Sequence, residues 1–290
     1  MKRKRFVFSI LILLVIVIAC VWTAGTVLTS RVDQSVGGPP NDLAARPVQF
    51  QSQSGAVIHG WFIPGTKGAG AIILMHGVRA NRLAMLDRAR FLANAGYSVL
   101  LFDFQAHGES TGEHITFGYL ESRDARAAVE FLRTASPGEK IGVIGVSMGG
   151  AATLLASPPL DVDAIVLEMV YPTIKQAVTN RLTMRLGPLS SVLTPLLTVQ
   201  LKLRFGFSSD ELNPVDKVGG ITVPKLFIVG AEDQHTTLAE SQQLFAAAAE
   251  PKELWIVEGA KHVDLHTLKK EEYERRVLSF FKDRLASPGQ

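Results

Sequence analysis

The hydrophobic pattern changes character along the chain. From Phe6 to Ala24 (FVFSILILLVIVIACVWTA) no residue is charged, and only Ser9 and Thr23 are polar. As a helix that run rises about 28 Å, close to the hydrocarbon thickness of a bilayer. Residues 29–46 are polar and contain Gly37, Gly38, Pro39 and Pro40, the composition of a linker. Past Pro47, the alternating runs Val48–Gln53 and Val57–Ile63 flank Ser54-Gly55 and predict an antiparallel hairpin. The rhythm then becomes one of runs apolar on both faces: Ala71–Met75, Val99–Phe102, Ile141–Ile144, Ala164–Leu167, Leu226–Val229 and Leu254–Val257. Helical patterns separate them, among them Leu83–Asn94, Tyr119–Arg133, Leu238–Ala248 and Glu271–Leu285. That alternation predicts an α/β fold with a doubly wound, mostly parallel sheet, which binds ligands at the carboxyl ends of its strands.

The expected organisation is a basic tail (1–5), a membrane-spanning helix (6–28), a linker (29–46) and one α/β domain (47–290) with a lid insert at 169–212. A connection of that length exceeds the usual span between neighbouring strands. Between Met169 and Ser209 it carries Lys175, Arg181, Arg185, Lys202 and Arg204 and no acidic residue. Two readings of it stand: helices whose apolar face covers the site, or a lid that also touches an anionic membrane through Lys202 and Arg204.

Charge refines this picture. The net charge is +3, but Lys2, Arg3, Lys4 and Arg5 are four of the 30 basic residues; without them 26 face 27 acidic residues. The body therefore has no basic excess suited to nucleic acid. Positive residues ahead of the apolar run hold that end in the cytoplasm and send the domain outward. An uncleaved signal anchor, a cleaved signal and a lipoprotein signal all share that topology. Val17-Ile18-Ala19-Cys20 resembles a lipobox, although the sequence after it stays apolar. Cys20 is the single cysteine, so no intrachain disulfide can form.

Candidate chemistry sits just after the strands. Gly145-Val146-Ser147-Met148-Gly149-Gly150 follows Ile141–Ile144 and opens a helix, giving G-x-S-x-G at a strand–helix turn. Small residues two before and two after the serine, Gly145 and Gly149, let so tight a turn close. A serine hydroxyl needs a base, and that base an acid to orient it. His262 follows Leu254–Val257, and Asp233 follows Leu226–Val229. The backbone amides of Val78, after Ala71–Met75, and Met148 could form an oxyanion hole. Several rivals surround these residues. Glu168 could replace Asp233 as the acid, and His235 could be mistaken for the base but reads as an exposed loop histidine. His76, His107 and Asp103 read as loop-holding groups. No His/Asp/Glu grouping has metal-ligand spacing, and no G-x-G-x-x-G follows the first parallel strand, so neither metal nor cofactor is expected.

LMHG at 74–77, DFQAHGES at 103–110, GVSMGG at 145–150, GAEDQHT at 230–236 and GAKHVD at 259–264 resemble the serine-hydrolase branch of the α/β-hydrolase fold. The likeness is to membrane-anchored Bem46/ABHD-like proteins and covers residues 47–285. It implies Ser147 as nucleophile, His262 as base and Asp233 as acid. Two departures stand out: Lys261 beside His262, which could bring a cation to the site, and Phe104-Gln105-Ala106 ahead of His107-Gly108. The function expected is hydrolysis of carboxylic esters, lipid or acyl esters among them, by a membrane-tethered serine hydrolase. A peptidase or amidase of the same fold, and a non-catalytic tethered binding protein, remain open alternatives. The substrate's identity and the oligomeric state are not legible.

Overall fold

A computed structural model of the protein describes residues 2–286. Met1 of the basic tail and 287–290 of the expected domain lie outside the described residues. Among the described residues, ten strands and ten α-helices follow in chain order. The first is helix α1 (Lys2–Thr29), followed by strands β1 (Val32–Asp33), β2 (Arg46–Gln51), β3 (Val57–Ile63) and β4 (Ala71–Met75). Helix α2 (Leu86–Asn94) leads to β5 (Ser98–Phe102) and the short β6 (His107–Gly108). Next come α3 (Glu121–Ala135), β7 (Ile141–Val146), α4 (Met148–Leu155) and β8 (Ala164–Glu168). The insert holds α5 (Ile174–Leu186) and α6 (Ser190–Phe205), and the short α7 (Pro214–Lys217) follows it. The chain closes with β9 (Lys225–Gly230), α8 (Leu238–Ala247), β10 (Lys252–Val257), α9 (Leu265–Leu268) and α10 (Lys270–Leu285).

Eight strands form one sheet in the order β10-β9-β8-β7-β4-β5-β3-β2. It is parallel from β10 to β5 and antiparallel where β3 meets β5 and β2, as the hairpin pattern predicts. Runs apolar on both faces arise because successive side chains enter different cores. In β4, Ala71, Ile73 and Met75 join the core that holds α3 and α4, whereas Ile72 and Leu74 join the one that holds α2 and α10.

Helix ends are set by local chemistry. The Thr173 side chain accepts from the Gln176 amide to start α5, and Gly206 adopts a left-handed conformation (φ 80°) to stop α6. Thr237 and Glu240 form a reciprocal capping box on α8.

The segment expected as a linker lies against the body. Val32 and Asp33 pair in parallel with His107 and Gly108, and the Val36 and Gly37 amides each donate to Glu109 over 3.1 Å. Farther along, Arg90 holds Asp42 at 2.8 Å. Polar composition does not forbid such docking, because ladder bonds use backbone groups and the loop after β5 offers unpaired ones.

Helix α1 is long and apolar enough to cross a membrane, with mean hydropathy 3.0 and no burial over its most apolar window. A helix of this kind at an N-terminus suits a membrane anchor or a signal sequence. Its carboxyl-terminal part packs on α6. Gln200 donates to the Val21 carbonyl at 2.9 Å, and the Arg204 guanidinium sits 4.1 Å over the Trp22 ring while donating to the Trp22 carbonyl. Arg204, read from sequence as available to lipid, is thus engaged by α1.

Candidate active site

The site forms at the carboxyl ends of β4, β7, β8, β9 and β10. Ser147 ends β7 and starts α4 with φ 49° and ψ −109°. A non-glycine residue there stores strain of about 1–3 kcal/mol, held by its surroundings. Its amide donates to the Glu168 carbonyl at 2.8 Å, and its own carbonyl accepts from Ala151 at 3.0 Å. The flanking glycines are required by close approach. A Cβ at Gly145 would lie 2.6 Å from the Gly150 backbone, and one at Gly149 would lie 2.4 Å from the Met75 carbonyl oxygen.

His262 follows β10, and its Nδ1 lies 2.7 Å from Asp233 Oδ2. Because a carboxylate only accepts, Nδ1 donates and Nε2 keeps its lone pair. The other Asp233 oxygen accepts from the His235 amide at 2.7 Å and the Thr236 amide at 3.0 Å. The acid is buried, at 4% exposure, and fixed by three donors. Ser147 and His262 line one cavity of about 390 Å³, at the lower end of the range of small-molecule pockets, ~300–1,000 Å³. No hydrogen bond joins the Ser147 hydroxyl to His262 among the described residues. Catalytic contacts of this kind often tighten only with substrate bound.

Val78 lines the same cavity. Met148 opens α4, where first-turn amides lack intrahelical acceptors. Among the described residues neither the Val78 nor the Met148 amide carries a backbone hydrogen bond.

The rivals separate cleanly. Glu168 has partners other than His262. It takes Arg88 at 2.7 and 3.0 Å and the Tyr273 hydroxyl, while Arg88 also reaches Asp264 at 2.9 Å. Asp103 holds the Arg82 backbone and guanidinium and the Glu109 amide, so it braces a loop. The buried ring of His76 accepts from the Phe104 amide at 3.1 Å and bonds the Gly77 carbonyl at 2.7 Å; burial pushes it down to about 3. His107 accepts from the Arg79 amide at 3.0 Å.

Two expectations need correction. His235 is not an exposed loop histidine. It is half-buried, lines the cavity, and its ring centroid lies 4.9 Å from that of His262. Burial, and then the positive charge of Arg181, pushes it below its usual range. It turns inward because its own amide is drawn to Asp233. Lys261 is exposed and outside the cavity lining. The cations in the cavity lining are instead Arg88, which carried no sequence signal, and Arg181 of α5. The only sequence signal for Arg181 is its place in an insert free of acidic residues.

Comparison with known proteins agrees with this architecture. A protein of Bacillus subtilis, YqkD, is 28% identical over 233 residues, covering 79% of this chain and 76% of its own. The α/β-hydrolase domain-containing protein WAV2 of Arabidopsis thaliana is 27% identical over 225 residues, covering 72% and 68%. Among solved structures, the Pyrococcus furiosus esterase Pf2001 superposes with a TM-score of 0.73 at 24% identity, covering 89% of this chain and 99% of that one, a likeness of fold. The serine aminopeptidase S33 family matches residues 66–220. On this match, and on an α/β-hydrolase sheet with a strained strand–helix turn at Ser147 after β7, the chain is a hydrolase that belongs to the serine aminopeptidase S33 family.

Proposed function

We propose that the protein is a membrane-tethered serine hydrolase that cleaves carboxylic esters through Ser147, His262 and Asp233. The observation that carries this reading is a strained serine sharing a cavity with an imidazole whose Nδ1 is held 2.7 Å from a buried carboxylate. Ser147 Oγ attacks the ester carbonyl while His262 Nε2 takes its proton. The amides of Val78 and Met148 donate to the oxyanion, with Gly145 and Gly149 keeping the elbow tight. His262 then protonates the leaving alcohol, and water hydrolyses the acyl-enzyme by the same route. Asp233 holds the ring in one tautomer and stabilises its transient charge.

The ester reading is favoured over aminopeptidase chemistry by charge. An aminopeptidase must bind a substrate ammonium, which calls for a carboxylate in the pocket. The carboxylate lining this cavity, Asp264, is bound by Arg88. The family match keeps peptide cleavage as the second reading. Hydrolysis of 4-nitrophenyl esters of graded chain length, set against aminoacyl anilides, distinguishes the two. Ester turnover that vanishes in Ser147→Ala supports the first, and turnover of anilides alone overturns it.

Helix α1 serves as an anchor, with the catalytic domain on the extracytoplasmic side and α5–α6 as the lid. Its apolar span and the basic residues ahead of it support this. Carbonate-resistant membrane fractionation and protease protection of a tagged carboxyl terminus test it; a carbonate-soluble chain or a cytoplasmic tag would contradict it.

A further inference from the structure

Two arginines line the cavity, and their circumstances differ. Arg88 is held by Glu168 and Asp264. Arg181, on the insert helix α5, has no carboxylate partner among the described residues. Its one hydrogen bond, Nη1 to the Ala177 carbonyl at 2.9 Å, lies within its own helix. A guanidinium has five N–H donors, so most of its capacity is uncommitted.

The acids nearest in charge are already engaged. Asp233 accepts from His262, His235 and Thr236, while Glu240 accepts from Asn180 at 2.7 Å and the Thr237 amide at 2.8 Å. His235, also in the lining, is pushed below its usual range by burial and then by the Arg181 charge. Burial works against the charge on Arg181, and a ligand anion would offset that cost. The rest of the lining is largely apolar, including Val78, Met85, Val146 and Met169.

We infer that Arg181 forms an anion subsite, so that the cavity takes esters carrying a carboxylate or phosphate group rather than neutral ones. Planar, bidentate recognition of such oxygens is what a guanidinium provides. This rests on the serine-hydrolase reading of the same cavity and names its substrate class. The anion sits at Arg181 while the scissile carbonyl lies at Ser147, so the charged group is carried on the ester at a distance from the reacting bond.

The test has two arms, both on the full chain in a neutral detergent at low salt. In the binding arm, hexanoate, hexyl phosphate and hexanol are titrated into Ser147→Ala by calorimetry. At least one anion is expected to bind tenfold or more tightly than hexanol, about the value of a charged hydrogen bond. That advantage is lost in Ser147→Ala/Arg181→Gln and partly kept with Arg181→Lys. Which anion gains more distinguishes a carboxylate from a phosphate source. In the turnover arm, kcat/KM for mono(4-nitrophenyl) adipate is divided by that for 4-nitrophenyl hexanoate. This ratio is expected to fall about tenfold or more in Arg181→Gln and to recover in part in Arg181→Lys. Equal binding of hexanol and both anions, or an anion advantage that survives Arg181→Gln, overturns the subsite. A chain that turns over no ester but binds anions through Arg181 keeps the subsite and loses the hydrolase reading. Ser147-dependent turnover with an unchanged ratio does the reverse.

Discussion

Asp233 Oδ2 lies 2.7 Å from His262 Nδ1, and the opposite Asp233 oxygen is tied to two backbone amides of its own loop. The carboxylate cannot rotate away without losing those bonds, so the imidazole is held by a fixed partner. Replacing Asp233 by Asn keeps the volume but puts a donor where Nδ1–H needs an acceptor, favouring the wrong tautomer. Asp233→Asn should lower kcat by on the order of 10⁴ with little change in fold, read by ester kinetics and circular dichroism. A loss below tenfold would mean that Asp233 does not orient the base.

Glu168 predicts the opposite pattern. It is fully buried and bonded to Arg88 and Tyr273, not to His262. Glu168→Gln leaves the Arg88 charge short of a buried partner and should cost about 3–5 kcal/mol of stability. Activity per folded molecule should stay within a few fold. Urea unfolding paired with active-site titration separates the two effects.

The elbow tolerates no side chain at Gly149, where a Cβ would meet the Met75 carbonyl oxygen at 2.4 Å. Both atoms are held by backbone, so neither can yield as a flexible side chain could. Gly149→Ala should destabilise by about 1–3 kcal/mol and displace the Met148 amide. Gly259→Ala serves as a control: that glycine has open space around it but a positive φ of 72°, so only conformational strain is expected. Loss of labelling by a fluorophosphonate probe in the first and its retention in the second is the predicted contrast.

Acid should weaken the fold through His76. Its folded pKa is pushed by burial from 6.5 to about 3. Stability from the neutral ring is complete above 6.5 and is lost as pH falls toward the folded value, at about 1.4 kcal/mol per unit. Burial also lowers the pKa of His107, which acts in the same direction. His76→Gln keeps a donor and an acceptor but does not titrate. Between about pH 6.5 and 4.5 its unfolding free energy should fall less steeply than that of the wild type, by roughly one proton's worth. Parallel slopes would show that His76 is not held neutral.

The parts of this molecule legible in the sequence share a physical cause. Strands covered on both faces leave unbroken apolar runs, so β4, β7, β8 and β9 stood out, and Ser147, Asp233 and His262 fell just past such runs. What escaped depends on distant or backbone contacts. Arg88 meets Glu168 and Asp264 across 80 and 176 positions, and local periodicity carries no record of that. The pairing of Val32 and Asp33 with the loop after β5 uses main-chain groups, which leave no pattern in a polar segment. His235 turns inward because its amide is drawn to Asp233, and Arg181 reaches the cavity from α5, a placement that local periodicity does not record.

Labelling with a fluorophosphonate probe, followed by peptide mapping, tests the central assignment most directly. A single adduct is expected on Ser147, absent in Ser147→Ala and formed orders of magnitude more slowly in His262→Ala. A wild-type chain that stays unlabelled, or a label that persists in Ser147→Ala, would contradict it.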